Sequence, residues 1–156
     1  MKKMNKIVVV FVMLGLLLST AGIVQAATLA ITANVQSVLN LALNPTTMNF
    51  TDVVPGVPTD PQILTATTTG NGSYQLTLQG AAFTGPASQP ASVLQFKETS
   101  ASTYVSATTA AINMLASPST ATNDGDQKTF HIRLNFPAHA PNGTYSANIT
   151  ITAVPQ

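Results

Sequence analysis

Residues Ala27 to Asn44 read A-T-L-A-I-T-A-N-V-Q-S-V-L-N-L-A-L-N. Apolar side chains recur at Leu29, Ile31, Ala33 and Val35, then in the same odd phase at Leu39, Leu41 and Leu43. That is the period of a strand burying one face, interrupted only near Gln36 and Ser37. As one straight strand, Leu29 to Leu43 would run roughly 50 Å at about 3.3 Å per residue. A globule of about 130 residues, with a radius of gyration near 14 Å, is only about 36 Å across. The strand must therefore bend, or its first half must leave the domain.

What precedes this stretch points to a compartment. Lys2, Lys3 and Lys6 form a positive segment, Ile7 to Leu18 is an apolar core, and Val24-Gln25-Ala26 offers a cleavage site. Residues 1–26 therefore read as a signal helix that is removed, placing the mature chain outside the cell or on its surface. The rival is a retained anchor, because Ile7 to Val24 carries no charge and just reaches spanning length. The chain has no cysteine, so neither a disulfide framework nor a thioether-linked lipid is available. The end, Ile149 to Gln156, reads as strand followed by Pro155 rather than as an apolar tail, so the expectation is no membrane contact after cleavage.

Removing residues 1–26 changes the charge. Lys97, Lys128 and Arg133 then stand against Asp52, Asp60, Glu98, Asp124 and Asp126, three basic side chains against five acidic, for a net charge of −2. So few charges repel other copies weakly, and no basic stripe is left to neutralise nucleic-acid phosphates. The expected partners are copies of the same chain or other surface proteins.

From Asn44 onward the chain alternates strands and turns. A short strand is expected around Met48 and Phe50, then a crossover punctuated by Pro55, Pro58 and Pro61. Gln62 to Thr69 and Ser73 to Gln79 follow as strands, joined at Gly70-Asn71-Gly72, which reads as a hairpin turn. Tyr74, Leu76 and Leu78 share one face, Phe83 plugs the core, and Val93 to Glu98 turns Leu94 and Phe96 inward. Tyr104 marks another short strand. Ala110, Ala111, Asn113, Met114 and Leu115 suit a single helical turn, whereas Thr108, Thr109 and Pro118 forbid a long helix.

A turn at Asn123-Asp124-Gly125-Asp126 leads to Lys128 to Phe136, with Phe130, Ile132, Leu134 and Phe136 inward. Pro137 and Pro141 stop that strand, Asn142-Gly143 turns, and Thr144 to Val154 closes the chain. In that last strand Tyr145, Ala147, Ile149, Ile151 and Ala153 share one face. Eight or nine short strands at this spacing predict an all-β single domain over residues 27–156, an antiparallel two-sheet sandwich of immunoglobulin-like or jelly-roll-like form.

A strand pair straight after the cleavage site, the Asn49-Phe50 pair following Pro45, and the ending Pro141-Asn142-Gly143-Thr144-Tyr145-Ser146-Ala147-Asn148-Ile149-Thr150 resemble secreted fimbrial and spore-coat-U-type β-sandwich subunits. The likeness covers the two ends rather than the middle, and the paired cysteines common in those families are absent. In such families the penultimate hairpin enters through a Gly-Thr-Tyr turn and the final strand alternates. The resemblance implies polymerisation by donor-strand exchange, in which an N-terminal extension of one subunit completes the sheet of the next. Ala27 to Gln36 would then be the donor strand, anchored by Leu29, Ile31, Ala33 and Val35, with its hinge at Gln36-Ser37. The other arrangement keeps both halves of the opening stretch in one domain, as consecutive edge strands that switch sheets at that bend.

No catalytic constellation is legible. His131 and His139 lack a spaced partner for a metal. Asp124 and Asp126, with Asp52 or Asp60 brought near by folding, would begin an oxygen-rich calcium site, but an Asn-Asp-Gly turn that exposes its carboxylates explains them as well. Ser73 lacks a nucleophile elbow, and Glu98 lacks a second carboxylate. The expectation is no metal, no cofactor and no enzyme. Asn49, Asn71, Asn142 and Asn148 begin N-x-Ser/Thr sequons, of which Asn71 and Asn142 are explained as well by turn chemistry. Two functions fit: a structural subunit of an extracellular fibre, pilus or surface or coat layer, and a secreted adhesion or carbohydrate- or protein-binding module. With no Trp and with Tyr74 and Tyr145 in core phase, the second lacks the usual aromatic platform.

Overall fold

A computed structural model describes Ala30 and residues 32–156. The signal helix expected over residues 1–26, and the two anchors Leu29 and Ile31, fall outside the described residues. The chain divides into two units, Met1–Val35 and Gln36–Gln156. Of the first, the described positions carry no strand and are exposed, Val35 at 77%.

The second unit has nine strands among its described residues. They are β1 (Leu39–Asn44), β2 (Gln62–Gly70), β3 (Ser73–Gln79), β4 (Leu94–Glu98), β5 (Val105–Ser106), β6 (Ile112–Asn113), β7 (Ser119–Thr120), β8 (Asp126–Leu134) and β9 (Thr150–Pro155). One sheet runs β1-β2-β8-β4-β5. The other is centred on β3, with β6 and β7 pairing successive parts of one edge and β9 pairing the opposite edge. Every strand pair is antiparallel, and the two sheets pack face to face as a sandwich.

Alternation explains the core. Leu64 and Ala66 of β2, Tyr74, Leu76 and Leu78 of β3, Leu94 and Phe96 of β4, and Phe130, Ile132 and Leu134 of β8 are all buried, as their phase requires. Phe83 and Phe136 are buried too, with ring centroids 5.7 Å apart in an edge-to-face arrangement. A buried polar group out of phase with that core is satisfied: Gln75 Nε2 donates to the Leu115 carbonyl at 3.2 Å, and the Leu115 N–H donates to Gln75 Oε1 at 3.3 Å.

Five expectations need correction. The opening strand begins at Leu39, and residues 32–38 join no ladder. The stretch around Met48 and Phe50 is not a strand, although both side chains pack half-buried against the core. The helical turn at 110–115 does not form, because Ile112–Asn113 pairs with β3 and Met114 and Leu115 are drawn inward by the sheet. The short strand placed at Tyr104 begins one residue later. Gly70-Asn71-Gly72 does not close a hairpin: β2 and β3 belong to different sheets, and their apolar faces meet across the core instead of pairing edge to edge.

That corner also shows where the opening strand ends. The Val38 N–H donates to Asn71 Oδ1 at 2.8 Å, the Asn71 N–H donates to the Val38 carbonyl at 3.3 Å, and Asn71 Nδ2 donates to the Gln36 carbonyl at 3.2 Å. A Cβ on Gly70 would come within 2.0 Å of the Val38 oxygen, and one on Gly72 within 2.2 Å of Ser37 Oγ. Two glycines and one amide thus hold residues 36–38 off the ladder at the expected hinge.

Candidate assembly cleft

β1 pairs only β2, and β9 pairs only β3, so each is an edge strand of its sheet. The two edges approach each other on one side of the sandwich without a ladder between them. Their inward side chains, Leu39, Leu41 and Leu43 on β1 and Ile151 and Ala153 on β9, are only half-buried. Two open edges with apolar inner faces amount to an unfinished side.

The chain on either side of this seam joins no ladder. Residues 144–149 keep the expected alternation, with Tyr145, Ala147 and Ile149 half-buried and their neighbours exposed. They nevertheless form only an isolated bridge, in which the Thr84 and Ser146 N–H groups each donate to the other's carbonyl at 2.8 and 2.9 Å. The strand expected over Thr144 to Val154 is therefore a ladder only from Thr150. Opposite lies the loop after Asn44, which turns Met48, Phe50 and Val53 inward.

Between these two walls opens a cleft of about 1030 Å³. Its floor is core: Leu64, Leu78, Leu94, Ile132, Leu134 and Phe136. Phe50, Val53, Tyr145, Ile149 and Ile151 stand at its walls. Tyr145 is fixed by its hydroxyl donating to the Pro141 carbonyl at 2.8 Å and by its ring lying 4.9 Å from that of Phe136. The volume is at the top of the roughly 300–1,000 Å³ range of small-molecule sites. Its lining is not wholly apolar: the Asp52 carboxylate and hydroxyls and amides of Thr46, Thr47, Asn49, Asn142, Thr144, Ser146 and Asn148 also line it.

The other residues singled out in the sequence lie elsewhere. Of the donor anchors, Ala33 and Val35 are described, and both are exposed. His139 is exposed in its loop, and His131 is half-buried on the outer face of β8, opposite Lys97. Ser73 Oγ donates to the Ser119 carbonyl at 3.2 Å, and Glu98 ends β4 opposite Phe130. Asn49, Asn142 and Asn148 are exposed, whereas the Asn71 amide is engaged at the 36–38 corner.

Asp124 and Asp126 part company. Asp124 is exposed, but Asp126 Oδ2 accepts the Tyr74 hydroxyl at 2.7 Å and the Ser119 hydroxyl at 2.6 Å, with Lys128 Nζ at 3.4 Å. Among the described residues no three or more His, Cys, Asp or Glu side chains converge, so Asp52 and Asp60 do not join this pair. Partial burial pushes the Asp126 carboxyl up, but the Ser119 and Tyr74 hydroxyls and the Lys128 charge outweigh it and hold the group below its ordinary value. Burial raises the Tyr74 phenol, and its bond to the Asp126 carboxylate raises it further. This cluster pins β3, β7 and β8 together at one end of the sandwich.

One grouping was missed in the sequence: Gln95, Lys97, Tyr104 and Arg133, which meet on the outer face of the five-stranded sheet. Alternation alone puts Lys97 and Arg133 outward, but only the β4–β8 register makes them neighbours. Compared with protein-family models and with curated proteins, the chain matches none.

Proposed function

We propose that the mature chain is a secreted, non-catalytic structural subunit of an extracellular fibre, pilus or surface layer, and that residues 27–36 of one copy seat in the cleft of another. The observation that carries this reading is the cleft between the loop after Asn44 and the 144–149 segment, neither of which joins a ladder, floored by the apolar core. A donor strand would supply what that side lacks: backbone partners for both edges and alternate apolar anchors for the groove. Leu29, Ile31, Ala33 and Val35 have that spacing, and no proline or charge interrupts residues 27–36. The low charge of the mature chain keeps repulsion between copies small.

The test is the size of the mature chain and of a version beginning at Ser37, by light scattering with electron micrographs of the same samples. Filaments from the first and folded monomers from the second are expected. A stable monomer from the full mature chain, with a truncated form that unfolds, would place the strand inside its own domain and overturn assembly.

A further inference from the structure

Of the three permanent positive charges beyond residue 26, two, Lys97 and Arg133, stand on the outer face of the five-stranded sheet, away from the cleft. In the β4–β8 register Lys97 lies opposite His131, and Arg133 opposite Gln95. Tyr104 sits with them: the Arg133 guanidinium carbon is 3.7 Å from its ring centroid and Lys97 Nζ is 5.3 Å away. Arg133 Nε donates to Gln95 Oε1 at 2.8 Å, and Lys97 Nζ donates to the Ala101 carbonyl at 3.1 Å.

Stacking and the Nε hydrogen bond fix the guanidinium plane before any ligand arrives, while the two terminal nitrogens keep their donors for a planar, two-oxygen acceptor. Among the described residues the ion pair is Lys128 with Asp126, so no carboxylate of this chain lies within ion-pairing distance of Lys97 or Arg133. Around the cations the face carries hydroxyls and amides, Ser106 beside Gln95 and Thr129 with Thr65 across the β2–β8 pair, together with His131 and the exposed Ile63 in the Lys97 row. We propose that this patch binds the carboxylate of a uronic-acid polysaccharide, seated on Arg133 and Lys97, with sugar hydroxyls meeting the neighbouring Gln95 and Ser106 side chains. A polymer with one carboxylate per sugar suits an isolated cation cluster, whereas nucleic acid demands a stripe of cations that residues 27–156, with three basic side chains against five acidic, do not have.

Calorimetric titration of the full mature chain with tetragalacturonate tests this, because a short oligosaccharide removes any avidity from assembly. Binding is expected, with loss on carboxyl reduction of the sugar. Arg133→Lys, which keeps the charge but loses the planar fork, should weaken it about tenfold, and Lys97→Gln about threefold. Lys128→Met, which removes the same charge elsewhere, should leave it unchanged. The unfolding midpoint of each variant is measured alongside, and if Arg133→Lys lowers its midpoint the Lys97→Gln value decides. No binding, equal binding of the carboxyl-reduced sugar, equal weakening by Lys128→Met, or tighter binding of a sulfated tetrasaccharide would each overturn the proposal.

Discussion

The two sides of the sandwich obey one sequence rule and end in different states. Away from the cleft, inward residues of β3, β4 and β8 are sealed: Tyr74, Leu76, Phe96 and Phe130 are all under 2% exposed. On the side where β1 meets β9 and the 144–149 segment, the alternation is as regular, yet every inward residue from Leu39 to Leu43 and from Tyr145 to Ala153 is half-buried. Periodicity reports which face of a strand is apolar. It does not report whether anything covers that face, which depends on the edges.

The sharpest contrast comes from matched truncations, read by chemical denaturation. Phe130→Ala on the sealed side should cost about 3–5 kcal/mol, since its neighbours cannot close the space. Tyr74→Phe should cost about 1–3 kcal/mol, because it withdraws a hydroxyl from the partly buried Asp126 carboxylate. Ile149→Ala, at the cleft wall, should cost about 1 kcal/mol in a chain that begins at Ser37, because a half-exposed side chain has less transfer energy to lose. The comparison would break if Ile149→Ala cost as much as Phe130→Ala. It would sharpen if adding a peptide of residues 27–36 raised the unfolding midpoint of the Ser37 chain and the Ile149→Ala change reduced that shift. Asn71→Ala, at the corner from which β1 departs, should cost about 0.5–1.5 kcal/mol and loosen residues 36–38, visible as faster amide exchange at Val38.

Acid separates the sides in another way. With the folded Asp126 carboxyl held below its ordinary value, folding favours the ionised form. That contribution is fully present above the unfolded value, near pH 4, and is lost as pH falls through the lower folded value. Asp126→Asn should therefore flatten the fall in stability below pH 4, measured by denaturant midpoints across pH, while the Ile149→Ala difference stays constant.

Much of the fold was legible in the sequence because β-alternation is a local signal. The inward phases of β2, β3, β4 and β8 and the plugging role of Phe83 follow from residues a few positions apart. What stayed hidden was decided between distant segments. Gly70-Asn71-Gly72 has hairpin chemistry, yet its glycines serve the close passage of residues 37 and 38. Met114 and Leu115 looked helical because their strand partners lie some 40 residues earlier. Apolar anchors and a short-charged chain suggested a donor strand, but its acceptor could not be named, because the cleft is assembled from five separate stretches between Leu43 and Ile151. The cation patch was equally hidden, since Tyr104, Lys97 and Arg133 meet only through strand register.

The central claim is that residues 27–36 of one copy occupy the cleft of another. It is tested most directly by placing a photo-activated cross-linking residue at position 31 of the mature chain, mixing isotopically heavy and light copies before assembly, and mapping the products by mass spectrometry. Cross-links joining heavy to light chains, and landing on residues 48–53 or 144–151, are the expected result. Cross-links confined within single copies, or falling outside those cleft walls, would contradict it.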